Sequence, residues 1–284
     1  MDPLAHLPAP GRARVLVDGL DHPEGVAYDP DANAVYAGGE DGQLYRVDLD
    51  AGTARQIARA PGFVLGLAVD GRGRLAVCAS KDGSLCAYDG ERVQRVASDL
   101  GYPNWPAFAP DGSLFVSDSG AWGRNDGRLV RIDPDGTAET FSRAVPHFTN
   151  GCAVTPDGAH LWVVESFEPI VSRFELATGR REEVTCIYGT VLDGLAFTAD
   201  GGVLISCYRP DRIYHLDAAG HLEVVAQDPQ GTLLSAPTNV CFAGNRAIAA
   251  NLGRWHLTEL DLGLRGAPLH RPDRWALDAL VVRA

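Results

Sequence analysis

Six short segments of this chain share one pattern, in which a variable first residue leads into a short, mostly apolar run. They align without gaps and are Glu24-Gly25-Val26-Ala27-Tyr28, Leu65-Gly66-Leu67-Ala68-Val69, Asn104-Trp105-Pro106-Ala107-Phe108, Asn150-Gly151-Cys152-Ala153-Val154, Asp193-Gly194-Leu195-Ala196-Phe197 and Thr238-Asn239-Val240-Cys241-Phe242. Four of the six first residues carry a carboxylate or a carboxamide, which packing in an apolar repeat does not require. We therefore expect chemistry at Glu24, Asn104, Asn150 and Asp193.

If these four residues meet in the fold, they suit a hard divalent cation. Two carboxylates in a low-dielectric site repel each other, and without a partner one of them would have to take up a proton. A divalent cation removes the repulsion, because Glu24 and Asp193 balance its charge while Asn104 and Asn150 add neutral oxygens. All-oxygen coordination predicts Ca²⁺, with Mg²⁺ or Mn²⁺ as substitutes. Zn²⁺ is a less favoured possibility, since no His or Cys stands at these positions.

The same residues also have a purely structural explanation. Asn and Asp often cap turns at the start of strands, and the four side chains could hydrogen-bond one another around a wet channel. The coincidence of two acids and two amides at aligned positions favours the metal site. A second aligned set lies near the ends of the following strands and consists of Asp118, Glu165 and Asn251. These residues are expected either to orient the first set by hydrogen bonds or to be solvated strand ends.

The spacing of the six segments predicts the fold. They recur with a period of roughly 43 residues, which indicates a repeat architecture. In the third repeat, β-prone runs at Pro106 to Ala109, Leu114 to Ser117, Arg128 to Ile132 and Ala138 to Phe141 are separated by turns that include Pro110-Asp111-Gly112 and Pro134-Asp135-Gly136. Four short strands per repeat predict an all-β, six-bladed β-propeller with four antiparallel strands per blade. Because the first strand of each blade lines the central channel, the six first residues should form a ring.

The ends of the chain predict how the ring closes. The last repeat has only three clear strands, ending near Leu260, while an unassigned strand from Ala13 to Val17 opens the chain. A ring closed by this N-terminal strand removes two exposed strand edges. No linker divides the repeats, so residues 1–284 are predicted to form one domain. The tail from Leu269 to Ala284 has no assigned place.

Composition narrows the function classes. The net charge of −12 and the lack of a basic cluster argue against a nucleic-acid partner. No apolar stretch approaches membrane-spanning length, and Met1 to Arg14 lack the pattern of a signal peptide, so we expect a soluble cytoplasmic protein that acts on a small molecule. The six cysteines have no C-x-x-C spacing and are expected to be buried free thiols. The oligomeric state is not indicated.

With these residues in view, the chain resembles the family of six-bladed propellers that contains senescence marker protein, gluconolactonase and luciferin-regenerating enzyme. The resemblance covers nearly the whole chain and rests on His22-Pro23-Glu24-Gly25, on Asn104 before Ala107-Phe108-Ala109-Pro110-Asp111-Gly112, on Thr149-Asn150-Gly151 before Pro156-Asp157-Gly158, and on Leu192-Asp193-Gly194-Leu195-Ala196. It implies that Glu24, Asn104, Asn150 and Asp193 are the metal ligands. It also implies a lactonase or a related esterase.

Two positions depart from the pattern of the sugar-lactone hydrolases in that family. Those enzymes usually carry Asp where this chain has Trp105, and often Arg where it has Tyr102. Two aromatic residues thus replace groups that would hold sugar hydroxyls. A substrate more apolar or aromatic than a sugar lactone is therefore expected.

The leading hypothesis is a divalent-metal-dependent hydrolase of a lactone or a related ester. The metal would polarise the carbonyl, and Asp193, which the resemblance places beside the open face of the metal, is the candidate general base. Direct attack by the Asp193 carboxylate is the alternative mechanism. The alternative functions are a metal-dependent isomerase, cyclase or lyase acting on a small metabolite, and a non-catalytic metal-binding propeller.

Loops on the metal side of the propeller are expected to carry the substrate contacts. The main candidates are Tyr102, Trp105, Trp122, His147, Tyr188 and Tyr208, with Phe148, Phe167 and Trp255-His256 nearby in the same kind of loop. An aromatic mouth favours an apolar or aromatic acyl compound. Each aromatic residue has packing between blades as an equal alternative. His147 is either a proton carrier or a structural histidine.

Overall fold

The computed structural model describes residues 12–283, whose strands form six four-stranded antiparallel sheets arranged as the blades of a propeller. The predicted all-β, six-bladed β-propeller with four antiparallel strands per blade is confirmed. The predicted domain of residues 1–284 extends past the described residues at both ends. The expectation that Met1 to Arg14 lack a signal peptide concerns a stretch that lies mostly outside them.

Each blade runs from an inner strand beside the central axis to an outer strand at the rim. Blade 1 contains β2 (Val26–Asp29), β3 (Ala34–Gly38), β4 (Gln43–Asp48) and β5 (Thr53–Arg59). Blade 2 contains β6 (Val64–Val69), β7 (Leu75–Ala79), β8 (Ser84–Tyr88) and β9 (Val93–Ala97). Blade 3 contains β10 (Pro103–Phe108), β11 (Leu114–Asp118), β12 (Arg128–Ile132) and β13 (Ala138–Ser142).

The second half of the ring repeats this order and ends with the closing blade. Blade 4 contains β14 (Thr149–Val154), β15 (His160–Glu165), β16 (Ile170–Glu175) and β17 (Arg181–Cys186). Blade 5 contains β18 (Val191–Phe197), β19 (Val203–Arg209), β20 (Arg212–Leu216) and β21 (Leu222–Gln227). Blade 6 contains β22 (Pro237–Ala243), β23 (Arg246–Asn251), β24 (His256–Leu260) and the N-terminal β1 (Ala13–Asp18).

Blade 6 joins the two ends of the chain, as predicted. Strand β1 pairs antiparallel with β24, with Ala13 opposite Leu260 and Asp18 opposite His256. Strand β1 is thus the fourth, outer strand of blade 6, and the blade that closes the ring is complete. Ring closure therefore does not depend on a second molecule.

The turns between strands follow from Asp and Gly at fixed positions. In blade 3, Gly112 has a φ of +86°, which a residue with a side chain adopts only at a cost. The Asp111 carboxylate accepts a hydrogen bond from the Ser113 backbone N–H at 3.0 Å and so stabilises the turn. The apolar side chains of the strands pack between adjacent blades, and the second strands of blades 1, 2 and 3 are buried throughout. All six cysteines are free thiols, and five of them are buried, as expected.

The chain after β24 covers one end of the central channel. Residues 265–280, here called the closing segment, make the following contacts: Ala267 N donates to Phe197 O (2.9 Å), His270 Nε2 lies 2.8 Å from Thr155 O, Arg271 pairs with Asp29 (2.8 Å), Gly71 N donates to Pro272 O (3.1 Å), and the Trp275 ring packs edge-on against Phe108 (5.3 Å). These partners belong to five different blades. The closing segment therefore holds the ring together from one side. It includes the first residues of a short helix, α1 (Ala276–Arg283).

Beneath the ring of aligned residues the channel is narrow and apolar. Its cavity of about 90 Å³ is lined by inner-strand residues and is bounded at the far end by Leu269 and His270 of the closing segment. This volume admits a few water molecules but is well below the roughly 300 Å³ of an ordinary ligand pocket. A molecule larger than water could therefore approach the ring of aligned residues only from the opposite face. No helix within residues 12–283 has the length and apolar character needed to cross a bilayer.

Candidate metal centre

The aligned residues lie where the inner strands leave regular pairing. In blade 3, Pro103 pairs with Asp118 and Trp105 pairs with Ser117, so Asn104 has no partner across the ladder. Equivalent register shifts leave out Leu65-Gly66, Asn150-Gly151, Asp193-Gly194 and Thr238-Asn239. Such bulges redirect a side chain out of the sheet and are common next to active sites. In blade 1 the equivalent residue is Glu24, which lies just before β2 begins.

Contacts between successive blades join the aligned segments into a closed ring. Ser119 Oγ donates to Thr149 O (2.6 Å), Ser166 Oγ donates to Leu192 O (2.6 Å), Ser206 Oγ donates to Thr238 O, and Thr238 Oγ1 donates to Glu24 O (2.8 Å). Between blades 1, 2 and 3 the backbones themselves touch: a Cβ at Gly25 would lie 1.9 Å from Leu65 O, and one at Gly66 would lie 2.5 Å from Asn104 O. The four sequence-predicted ligands thus lie at one level around the axis.

Each of these four side chains is buried and keeps one oxygen without a partner. Glu24, Asn104, Asn150 and Asp193 are 3%, 2%, 4% and 5% exposed. The unpartnered atoms are Glu24 Oε2, Asn104 Oδ1, Asn150 Oδ1 and Asp193 Oδ1. A buried polar group left unsatisfied costs about 1–3 kcal/mol. A bound cation would give such oxygens a partner, so the chemistry of this donor set fits a metal.

Neighbouring serines fix which way the two amides face. Ser119 Oγ donates its single hydrogen to Thr149 O, so it can only accept a hydrogen bond from Asn104. The Asn104 Nδ2 group donates to it at 3.1 Å, and Oδ1 is left on the other side. Ser166 holds Asn150 Nδ2 in the same way at 2.9 Å. Both amides therefore present oxygen, the atom a hard cation prefers, away from the serines.

The two carboxylates titrate as expected for acids buried close together. Burial raises the pKa of Glu24 to about 8, and a side-chain hydrogen bond from Asn239 only partly opposes this shift. Burial, and then the charge of Glu24, hold the pKa of Asp193 well above its ordinary range, while Asn150 lowers it. The two groups are near enough to repel. Without a cation each carboxyl group therefore holds a proton more tightly than an exposed acid does, and a divalent cation would take the place of such a proton.

The donor set has the chemistry of a calcium site and lacks that of a thiolate or imidazole site. Two carboxylates and two carboxamides give four oxygens, which leaves Ca²⁺ with open positions for water or substrate. Within the described part of the chain, no group of three or more His, Cys, Asp or Glu side chains is placed to hold a metal ion. The present set has only two such residues because its other two donors are amides.

The second aligned set supports the loops that precede the aligned segments of blades 3, 4 and 6, and among the described residues its side chains make no hydrogen bond to the four predicted ligand side chains. Asp118 accepts from the backbone N–H of Tyr102 at 2.7 Å, Glu165 from that of His147 at 2.9 Å, and Asn251 from that of Ser235 at 2.9 Å. The side chains that contact the ligand amides are instead Ser119 and Ser166, each one residue beyond the predicted position. The repeated acid-serine pair at 118–119 and 165–166 was the available signal.

Aromatic residues gather at one sector of the metal-side face. Phe148 is 8% exposed and lies among three other rings: it stacks on Phe167 (4.8 Å between centroids), meets Trp122 edge-on (5.1 Å) and faces Tyr102 (6.4 Å). We call these four residues the aromatic cluster. Trp122 is 79% exposed, so the cluster offers an open aromatic surface in the loops of blades 3 and 4.

The other predicted substrate residues have different surroundings. Trp105 is buried in the core between blades 3 and 4 and lines the apolar channel. His147 Nε2 lies 3.4 Å from the exposed carboxylate of Glu168. Tyr188 is 87% exposed, and the Arg209 guanidinium lies 4.7 Å above the Tyr208 ring. Their contact with substrate stays a prediction.

Backbone strain marks the loops that enter the ring. Residues two positions before the aligned segments of blades 1, 4 and 6 have left-handed φ angles: His22 (40°), Phe148 (62°) and Ala236 (48°). Such conformations cost about 1–3 kcal/mol for residues with a side chain and cluster at functional sites. In blade 4 the strained residue is the centre of the aromatic cluster. The same loop thus presents both Phe148 and, two residues on, Asn150.

Comparison with known proteins gives both a family match and distant relatives. Residues 42–249 match the family model described as the SMP-30/Gluconolactonase/LRE-like region. Strictosidine synthase-like 4 and strictosidine synthase-like 6 of Arabidopsis thaliana are 24% and 25% identical over 204 and 186 residues, 64% and 57% of this chain. Those matches cover 55% and 50% of the relatives, so the chain spans about half the length of the curated relatives it matches.

Solved structures share the fold over nearly the whole chain. A gluconolactonase from Xanthomonas campestris is 20% identical, covers 94% of this chain and 93% of its own, and has a TM-score of 0.75. The calcium-binding protein regucalcin from Agrobacterium tumefaciens is 19% identical, with coverages of 92% and 96% and a TM-score of 0.75. A luciferin-regenerating enzyme is 14% identical, with coverages of 91% and 99% and a TM-score of 0.73.

Proposed function

Because the chain belongs to the SMP-30/Gluconolactonase/LRE-like family, we propose that it is a divalent-metal-dependent hydrolase of a lactone or a related ester. The observation that carries the proposal is the set of four buried, unpartnered oxygens on Glu24, Asn104, Asn150 and Asp193. The likeness to a gluconolactonase and to a calcium-binding regucalcin supports both the reaction class and the ion.

Calcium is the proposed ion, held by Glu24, Asn104, Asn150 and Asp193. Two carboxylates balance its charge, and the amide oxygens complete an all-oxygen set of protein ligands. When bound there, the ion supplies a Lewis acid that polarises the acyl carbonyl. Mg²⁺ and Mn²⁺ are substitutes that the same oxygens accept, and Zn²⁺ fits them less well.

Asp193 is the proposed general base. Its carboxylate removes a proton from the attacking water as the water oxygen bonds to the acyl carbon, and the same proton then passes to the leaving alkoxide when the ester C–O bond breaks. In the metal-free site burial and the nearby Glu24 raise the pKa of Asp193, so a bound cation would be needed to displace its own proton and leave the carboxylate able to take one from water. Glu24, which the Asn239 amide contacts, is assigned to metal binding alone.

The proposed substrate is an apolar or aromatic acyl compound. The aromatic cluster lies in the loops of blades 3 and 4, the blades that carry Asn104 and Asn150. Its Trp122 ring is exposed to solvent. A flat apolar surface of this kind binds an aromatic or alkyl group better than a polyol. The closing segment covers the opposite end of the channel, so the substrate has one face from which to enter.

A reaction other than hydrolysis is the second candidate. The curated relatives are named after a synthase, and the same centre could run a metal-dependent cyclisation, isomerisation or elimination in which no water is consumed. A propeller that binds metal without catalysis is the third. These alternatives share the metal centre and differ only in what Asp193 does.

A panel of aromatic and aliphatic lactones, assayed with and without a chelator, tests the proposal. Hydrolysis that is lost with chelator and restored by Ca²⁺ is the expected result. Metal-dependent binding of the same compounds without hydrolysis would favour the second candidate. Metal binding with no effect on any small molecule would favour the third.

A further inference from the structure

Asn239, in the inner strand of blade 6, shares one property with the four predicted ligands. It is 1% exposed, and its Oδ1 has no hydrogen-bond partner. Its Nδ2 group donates to the main-chain carbonyl of Glu24 at 3.2 Å. Because a carbonyl can only accept, this contact fixes the amide with nitrogen towards Glu24. The alignment of the six segments does not single out Asn239, because Asn239 stands one position after the aligned first residue, Thr238.

The position that Asn239 occupies is glycine in four of the six blades, namely Gly25, Gly66, Gly151 and Gly194. The backbone of the next blade lies where a side chain would begin: a Cβ at Gly151 would be 2.3 Å from Asp193 O. The exceptions are Trp105 and Asn239. Both contact the glycine of the preceding blade, and a Cβ at Gly194 would lie 2.2 Å from Asn239 Oδ1. The Asn239 amide therefore fills the space beside the residue that follows Asp193.

A continuous series of hydrogen bonds crosses blade 6 between the segments that carry the two carboxylates. Gly194 N donates to Ser206 Oγ at 2.8 Å, and Ser206 Oγ donates to Thr238 O. Thr238 Oγ1 donates to Glu24 O at 2.8 Å, and the same oxygen also accepts the hydrogen bond from Asn239 Nδ2. Blade 6 supplies none of the four predicted ligands, yet it connects the strand of Asp193 with that of Glu24.

We propose that Asn239 is a positioning residue of the metal centre, which holds the Glu24 segment against Gly194 and so keeps the two carboxylates at the separation that one divalent ion requires. The inference rests on the proposed metal centre and adds blade 6 to it. A neutral amide suits this task, since it bridges two segments whose acids repel without adding a third charge. Partners of this kind typically alter metal affinity about 10- to 100-fold.

Calorimetric titration of chelator-stripped protein with Ca²⁺ tests this role. Asn239→Leu keeps the side-chain volume but removes the hydrogen bond, and Asn239→Ala removes the amide without adding volume, in case the leucine variant does not fold. Both are expected to raise the Kd for Ca²⁺ about 10- to 100-fold. The matched control is Asn251→Leu, because the buried Asn251 bonds only Ser235, His256 and Thr258, all in blade 6 or the loop before it. That variant should lower the metal-free Tm and leave the Kd unchanged.

The outcomes separate the inference from the proposed function. Wild-type affinity in the Asn239 variants would overturn the positioning role and leave the metal centre intact. An equal loss of affinity in Asn251→Leu would overturn it too, since any missing amide in blade 6 would then weaken binding. If the wild-type protein binds none of Ca²⁺, Mg²⁺ and Mn²⁺, the proposed function itself fails.

Discussion

The hydroxyl of Ser166 accepts a hydrogen bond from the Asn150 amide at 2.9 Å and donates one to the carbonyl of Leu192 at 2.6 Å. One side chain thereby orients a predicted ligand in blade 4 and fixes the backbone next to Asp193 in blade 5. Ser119 does the same between Asn104 and Thr149. The position of each ligand thus depends on the neighbouring blade.

Replacing Ser166 with alanine should therefore weaken metal binding more than it weakens the fold. Without the acceptor, the Asn150 amide is free to rotate, and the Kd for Ca²⁺ should rise about tenfold. The free energy of unfolding of the metal-free protein should fall by only about 1 kcal/mol. The control is Ser172→Ala, since Ser172 is buried in the same blade but bonds Arg181. Equal effects of the two variants on the Kd would contradict the expectation.

The two carboxylates should be individually necessary. Glu24→Gln and Asp193→Asn each keep an oxygen but remove one negative charge, so each should lose bound metal in elemental analysis of the purified protein. Asp193→Asn should also lower kcat for lactone hydrolysis about 100- to 10,000-fold, because it removes the proposed base. Full activity in either variant would count against the assignment.

Leu65→Ala provides the comparison for those two variants. Leu65 occupies the equivalent position in blade 2, is 5% exposed and has no oxygen to offer a metal. Its loss should cost about 2–5 kcal/mol of unfolding free energy through the cavity left behind. Metal content per folded molecule should be unchanged.

The metal-free protein should lose stability as the pH rises from about 4.5 to about 8. The pKa of Glu24 rises from its ordinary 4.5 to about 8 on burial, so the folded state holds more protons than the unfolded state across this window. Stability falls with rising pH wherever the folded state binds more protons. Asp193, whose pKa is also raised, acts in the same direction.

Thermal unfolding in the presence of chelator, measured across this pH range, checks the prediction. Saturating Ca²⁺ should remove the loss of Tm, because the ion replaces the protons, so the Tm shift on adding Ca²⁺ should grow with pH. Glu24→Gln should reduce the pH dependence in chelator. A metal-free Tm that increases steadily over the window would be the contrary result.

Trp122 should govern which acyl group the protein accepts. Trp122→Ala removes the exposed ring of the aromatic cluster and should reduce the ratio of kcat/KM for an aromatic over an aliphatic lactone roughly tenfold, equivalent to about 1.4 kcal/mol. Tm and Ca²⁺ affinity should be unaffected, since the side chain is 79% exposed. Trp255→Ala is the control, because Trp255 is also exposed but its ring neighbour is His22. An equal change in selectivity there would remove the special role of Trp122.

The architecture was predictable because short local sequence patterns encode it and recur in each repeat. The Asp-Gly turns, the alternation of short β-prone runs and the period of the aligned segments determined six blades. The missing strand of the last repeat identified the partner of β1. Each of these signals is short in sequence and occurs several times, so no single ambiguous position decided the fold.

The centre was only partly predictable. The sequence indicated Glu24, Asn104, Asn150 and Asp193 as a set. It did not indicate that the last three stand on bulges, since a bulge depends on the pairing register between strands. Ser166 and Asn239 act across blade boundaries, and neither type of residue is unusual at a strand end. The departure from glycine was the visible signal for Asn239, and the repeated acid-serine pair was the signal for Ser166.

The tail could not be placed from sequence because its contacts are remote. Arg271 pairs with Asp29 across 242 positions, and Trp275 Nε1 donates to Asp70 Oδ2 at 2.9 Å across 205. No local pattern in residues 265–280 encodes either partner. Only the closed ring brings the acceptors of several blades onto one surface.

Ring closure through β1 and β24 also bears on when the proposed metal centre can assemble during biosynthesis. A chain growing on the ribosome has synthesised all four predicted ligands by residue 193. Glu24, however, has no place beside Asn239 until β24, which ends at Leu260, has emerged and captured the first strand. The ring of aligned residues that the proposed centre needs is therefore complete only after the chain through Leu260 has been synthesised.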